Sequence, residues 1–225
     1  MVKCRVAVVT GSNRGIGLAL VKELAKELAK ELGTSDTVYL TSRHLARGQE
    51  VLEKLQQELG EEGARLRLLQ LDVTDQESVE NLASHIKREH GGLDVLVNNA
   101  GMAFTNDSKV TFSEQARCTV DTNFHGTRRV SSFSSLLLLA QVSAALFPLL
   151  RPGARVVAVS SNCGHLSKIG GAEPQASQLR TRLSCPHLEE QQLVEMMEQF
   201  VGLAGRGQHV AAGWPDSAYK VGSTH

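Results

Sequence analysis

The 225 residues predict a doubly wound α/β domain: a parallel sheet with helices on both faces. Three observations predict it. Short apolar runs at 6–9, 37–41, 65–71, 93–97 and 155–160 alternate with amphipathic helical stretches, the pattern of repeated strand–helix–strand units. A glycine-rich turn follows the first run directly. Hydrophobic residues make up 41% of the chain but aromatics only 4%, which suits one aliphatic core, read here as a single domain over 1–225.

Val6, Ala7, Val8 and Val9 form the continuous apolar run of a parallel strand covered on both faces. Gly11, Gly15 and Gly17 then remove side chains where the backbone must turn sharply and approach an anion. The helix expected over 16–32 turns its free N–H groups and dipole toward that anion, as a dinucleotide pyrophosphate requires. A plain strand–turn–helix corner is the alternative, and the position after a buried strand favours the nucleotide. The spacing is neither Gly-x-Gly-x-x-Gly nor the Lys-Ser/Thr loop of nucleotide hydrolases.

The tandem Lys-Glu-Leu-Ala in 20–32 puts Leu24, Leu28 and Leu32 on one stripe among Lys/Glu pairs, a solvated helix face with no assigned function, stopped by Gly33. After the second strand stands Ser42-Arg43, where NAD-preferring enzymes place an acidic residue for the ribose hydroxyls. Arg43 and Arg14 together suit a ribose phosphate, which selects NADP over NAD by charge. A second amphipathic helix covers 45–59. The third strand ends at Asp72-Val73, and Asp72 is placed either to meet the adenine or to cap the helix at 78–89. Gly91-Gly92 breaks that helix, and the fourth strand runs into Asn98-Asn99-Ala100-Gly101. The fifth strand delivers Ser161 to the same carboxyl edge, where a serine can hydrogen-bond a substrate carbonyl, and Ser160 is placed to share that role. No Gly-x-Ser-x-Gly elbow surrounds it, which argues against a hydrolase nucleophile.

Charge balances at 24 basic and 24 acidic residues, so no global field recruits nucleic acid or an anionic membrane, and a small-molecule substrate is expected. Cys4, Cys118, Cys163 and Cys185 show neither paired nor zinc-ligand spacing. With no leader pattern ahead of the first strand, a cytoplasmic protein is the expectation.

On Thr10 to Gly17, read as Thr-Gly-x-x-x-Gly-x-Gly, with Asp72-Val73 and Asn98-Asn99-Ala100-Gly101, the first half resembles a classical short-chain dehydrogenase/reductase with a Rossmann fold. Gly91 to Val97, Thr122 to Arg128, and Gly213-Trp214-Pro215 leading into Ser217-Ala218-Tyr219 are similar to the carbonyl reductase branch. The resemblance implies NADPH held by Gly11, Asn13, Arg14, Gly15, Ile16, Gly17, Arg43, Asp72, Val73, Asn99, Ala100 and Gly101. It implies reduction of ketones, aldehydes or quinones, with Ser161 orienting the carbonyl, Tyr219 donating the proton and Asn123 supporting a relay water. It also implies a monomer, because the stretch inserted between Ser161 and Tyr219 covers a surface that other members use to associate. Met196 and Met197 there read as packing residues.

Three departures stand out. The tandem lengthens the first helix by about one turn. About a dozen residues at 131–142, with the run Leu136 to Leu139, extend or bulge the helix before the fifth strand and are too short and interrupted for a membrane span. The family motif is Tyr-x-x-x-Lys, but Ser223 stands four residues after Tyr219. In the family that lysine lies one turn from the tyrosine, lowers the phenol pKa and holds the nicotinamide ribose. Lys220 points about 100° around the helix and does not replace it. The family's last two strands would follow His225, so the sheet is expected to stop at five, with Val156, Val157 and Val159 along its edge. Two other readings compete: a catalytically impaired dinucleotide-binding or interaction protein, and a methyltransferase on a similar sheet, which would bind S-adenosylmethionine.

Overall fold

A computed structural model describes residues 4–30, 36–105, 107–125 and 141–223, which divide into two compact units, Met1–Ala100 with Gly126–Val159, and Gly101–His125 with Ser160–His225.

In the first unit, five parallel strands form one sheet: β1 (Val6–Val9), β2 (Thr37–Ser42), β3 (Leu66–Gln70), β4 (Leu93–Asn98) and β5 (Leu150–Ala158), in the order β3-β2-β1-β4-β5. The apolar run of β1 is buried because successive side chains enter opposite layers. Ala7 and Val9 pack with Val21 and Ala25 of α1 (Gly15–Ala29) and Leu52 and Leu55 of α2 (Leu45–Leu59). Val6 and Val8 pack with Val79, Leu82 and Ile86 of α3 (Gln76–His90) and Val142 and Leu146 of a short helix, α5 (Gln141–Leu146). Each buried valine, leucine or isoleucine among these contributes about 1.5–3 kcal/mol, so the two layers fix β1 at the centre. The chain order reverses between β1 and β4, and an open α/β sheet binds its ligand at such a reversal, beyond the carboxyl ends of the strands.

Boundaries shift for local reasons. The first helix ends at Ala29, with Lys30 as its C-cap; Gly33 and the rest of the expected helix end lie outside the described residues. Arg65 closes a 3₁₀ turn (Gly60–Arg65), so β3 begins one residue later than its apolar run. Asp75 caps α3 by accepting from the Glu77 N–H, and Gly91, at φ 66°, ends it, so α3 exceeds its expected span at both ends. The fifth strand starts at Leu150, before its valine run, and stops at Ala158, leaving Ser160 and Ser161 beyond it. It forms one edge of the sheet; Val157 is 48% exposed, while Val156 and Val159 are half-buried against the two layers. Of the insert at 131–142, residues 131–140 lie outside the described residues.

The second unit is helical. It comprises α4 (Phe112–Thr119), a π turn (Val120–His125), α6 (Gln175–Leu183), α7 (Glu190–Gly205) and α8 (Ala218–Gly222). Its core joins Ala116, Val120, Phe124, Phe200, Trp214 and Val221, and includes Met196 and Met197, which pack as expected. Among the described residues, no helix is long and apolar enough to cross a membrane.

Candidate active site

The glycine turn after β1 is held from both sides within the first unit. Thr10 Oγ1 accepts from the N–H groups of Asn99 and Ala100, both at 2.9 Å. Asn99 Nδ2 donates in return to the carbonyls of Thr10 (2.9 Å) and Gly11 (3.1 Å). Ser12 Oγ donates to Val9 O and accepts from Thr41 N, both at 2.8 Å, while Gly11 N donates to Thr41 Oγ1 at 3.0 Å. These bonds fix the turn before any ligand arrives. The glycines answer separate demands. Gly11 has φ +59°, and a Cβ there would stand 2.7 Å from Ala100 Cα; a Cβ on Gly17 would lie 2.4 Å from Asn99 Nδ2 and 2.8 Å from Gly11 O. Gly15, at φ +58°, faces open space.

Arg14 occupies the N-cap of α1 without a side-chain cap bond, and the first turn carries no acidic residue. A cradle closed to side chains at Gly11 and Gly17 and open at Gly15, beneath an uncapped helix start, fits a dinucleotide pyrophosphate. Asn13 is half-buried in the turn, and Ile16 is 65% exposed beside it. Arg43 is exposed after β2, its carbonyl accepting from Gln70 Nε2 at 3.2 Å. Among the described residues, neither Arg14 nor Arg43 has a side-chain hydrogen bond or ion pair. Asp72 Oδ1 accepts from Thr74 N (2.9 Å) and Thr74 Oγ1 (2.7 Å), closing a local turn, while the helix cap is Asp75; Val73 is buried against α3.

The expected catalytic residues gather in the second unit. Ser161, half-buried, caps the 3₁₀ turn Asn162–Gly164, and its Oγ accepts from Cys163 N at 3.2 Å, leaving its own proton available to donate. The helix bearing Tyr219, α8, packs against that turn, against α4 and against the π turn. Gly222 permits the approach: a Cβ there would meet Thr119 Cγ2 at 2.8 Å and Thr119 O at 3.2 Å. Tyr219 lines a cavity of about 260 Å³ together with Phe104, Phe112, Gln115, Thr119 and Ser217. Phe112 is stacked on His209, ring centroids 4.1 Å apart, and burial holds the His209 pKa below its ordinary value. Among the described residues no group of three His, Cys, Asp or Glu is placed to hold a metal ion.

Asn123 uses its side-chain amide on the backbone. Oδ1 accepts from Met102 N at 2.7 Å and Nδ2 donates to Met102 O at 2.9 Å, while Thr122 Oγ1 lies 3.3 Å from Met102 Sδ. Its side chain therefore anchors the segment that carries Phe104 into the cavity wall. Lys220 pairs with Asp216 at 3.5 Å, and Ser223 is 5% exposed at the C-cap of α8, its N–H donating to Tyr219 O at 3.1 Å. Gln115 and Thr119 escape a motif search, although two polar residues four apart on α4 share a face.

The family pattern for short chain dehydrogenases matches residues 5–178. The chain is 39% identical to carbonyl reductase (NADPH) 1 of Macaca fascicularis and to carbonyl reductase (NADPH) 3 of Rattus norvegicus, in each case over 217 residues, 96% of this chain and 69% of the relative. Among solved structures, menthone neomenthol reductase from Mentha piperita superposes with a TM-score of 0.80 at 31% identity, covering 98% of this chain and 81% of that one. An alcohol dehydrogenase from Thermococcus sibiricus, at 23% identity and a TM-score of 0.54 over 72% of this chain and 60% of that one, shares the fold. With the pattern spanning both the glycine turn and the Ser161 turn, and relatives matching nearly the whole chain, the protein belongs to the short chain dehydrogenase family of oxidoreductases.

Proposed function

We propose that the protein reduces ketones, aldehydes or quinones to alcohols with NADPH. The observation that carries the reading is Tyr219, on a helix packed against the Ser161 turn, lining a cavity walled by Phe104 and Phe112. The relatives named carbonyl reductase (NADPH) support the same chemistry and the same cofactor. NADPH, when bound, supplies the hydride that adds to the carbonyl carbon. Ser161, with its oxygen held by Cys163 N–H, donates to the carbonyl oxygen and stabilises the charge that develops there. Tyr219 gives its phenolic proton to that oxygen, completing the alcohol. Arg14 and Arg43 hold the ribose phosphate that distinguishes NADPH from NADH. Asn99 and Ala100, bonded to Thr10 beside the glycine turn, would help hold the cofactor, and so would Gly101. Gly101 is exposed.

Ser223 sets the expected rate. It places a small hydroxyl where the family's lysine would support both the phenol and the ribose, so turnover should fall below that of a lysine-bearing relative by a factor on the order of 10²–10⁴. The reading further takes the protein to act as a cytoplasmic monomer on small molecules. Its test is an NADPH titration followed by ketone-dependent loss of nicotinamide absorbance. Saturable binding with turnover that disappears in Tyr219→Phe supports it, and S-adenosylmethionine binding in place of NADPH would overturn it.

A further inference from the structure

The cavity beside Tyr219 has two unlike walls. Phe104 and Phe112 form an apolar one, and Phe112 is fixed from behind by His209 and by Phe200, whose ring stands edge-on at 6.3 Å. The other is a polar face of α4. Gln115 donates Nε2 to Val110 O at 2.8 Å, which orients the amide and leaves Oε1 as an acceptor. One turn on, Thr119 is fully buried and its hydroxyl has no hydrogen-bond partner among the described residues. A bare buried hydroxyl is costly, and a threonine inside a helix ordinarily returns its hydroxyl to a carbonyl of the preceding turn. Here the helix widens into a π turn immediately after Thr119, a distortion that recurs at functional sites. Thr105, on the same rim, has its hydroxyl committed to Asp107.

We infer that Thr119 and Gln115 form a recognition point for a hydroxyl on the substrate, so that the preferred substrates are aryl ketones or aldehydes carrying a hydroxyl remote from the reacting carbonyl. The inference rests on the reductase reading for the placement of that carbonyl at Tyr219. The aromatic ring lies against Phe104 and Phe112. Its distal hydroxyl donates to Gln115 Oε1 and accepts from the Thr119 hydroxyl, the donor without a partner among the described residues. A methyl group of similar size fills the same space but leaves the buried Thr119 hydroxyl bare, which is how a polar pocket rejects an apolar isostere.

The test compares 4-hydroxyacetophenone with 4-methylacetophenone by ligand-observed NMR titration on the NADPH-loaded protein, in the parent chain, Thr119→Val and Thr119→Ser. The hydroxy ketone should bind about tenfold more tightly than the methyl ketone. Thr119→Val should erase most of that preference by weakening the hydroxy ketone alone, and Thr119→Ser should keep it. An unchanged affinity for the methyl ketone in Thr119→Val shows that the cavity is intact. Equal binding of the two ketones by the parent chain, or an equal loss of both in Thr119→Val, overturns the inference. If the binding preference stands but neither ketone is reduced, the recognition point holds and the reductase reading fails.

Discussion

The turn after β1 and the surroundings of Tyr219 differ in completeness. Around Gly11, each motif position is filled and tied: Thr10, Ser12, Thr41 and Asn99 bond to one another's backbone, and Gly11 and Gly17 stand where no other side chain fits. Around Tyr219, the serine, the asparagine and the aromatic wall are present, but Ser223 stands at the lysine position and Lys220 is engaged by Asp216. On the proposed reading, cofactor binding and proton donation rest on separate sets of residues, so an alteration in one set should leave the other measurable.

The largest expected effect falls on the weaker side of that comparison. With Tyr219 as the proposed proton donor, Tyr219→Phe should lower kcat by about 10²–10⁴-fold, with NADPH affinity changed less than about twofold. A parallel loss of NADPH affinity would show the two sets to be coupled. Next comes Arg43→Asp on the cofactor side. Losing one charge-assisted contact of about 1.5–3 kcal/mol should weaken NADPH by about 10–100-fold and leave NADH unchanged or improved, as read by equilibrium titration.

Smaller effects separate the glycines. Gly17→Ala drives a methyl into Asn99 Nδ2 and Gly11 O and should destabilise the fold by about 1–3 kcal/mol, with a lower Tm and weaker NADPH binding. Gly15→Ala meets open space and bears only the cost of a left-handed φ, about 1 kcal/mol, so its Tm should fall less. Equal losses would mean that close approach is not what Gly17 serves.

The mildest effect lies away from both sites. The phenol of Tyr39 lies 2.7 Å from His90 Nε2 and 3.2 Å from His85 Nε2. Burial, with the nearby His85 and Arg151, holds His90 below its ordinary pKa of 6.5, so the folded state favours the neutral ring. The stabilisation is therefore full above that pH and is lost as pH falls below it. Tm should drop on acidification from about pH 7.5 to about pH 5.5, and His90→Gln should flatten the slope, as scanning calorimetry at several pH values would show. NADPH affinity at neutral pH should not follow the His90 change.

The fold and the glycine turn were legible because local chemistry dictates them. Val6 to Val9 can be buried on both faces only in a covered strand, and the glycine spacing marks a turn with no room for a side chain at Gly11 and Gly17. The limits of the fifth strand were not legible, since Leu150 already pairs with Leu93 and the register resumes at Arg155 opposite Val95 across an irregularity that holds Pro152 and Gly153, a choice made by tertiary pairing over local propensity. Asn123 was found by its neighbours, yet the two-point bond from its amide to Met102 joins residues 21 apart and leaves no mark in the sequence. The polar wall of Gln115 and Thr119 became visible only once α4 and α8 were seen to close around Tyr219.

The most direct test of the central claim measures NADPH and NADH affinity and ketone-dependent turnover on the same preparations of the parent chain and of Tyr219→Phe. The account expects NADPH to bind both proteins alike and at least about tenfold more tightly than NADH, with slow turnover in the parent chain and none detectable in Tyr219→Phe. Equal affinity for the two cofactors, or turnover that survives Tyr219→Phe unchanged, would contradict it.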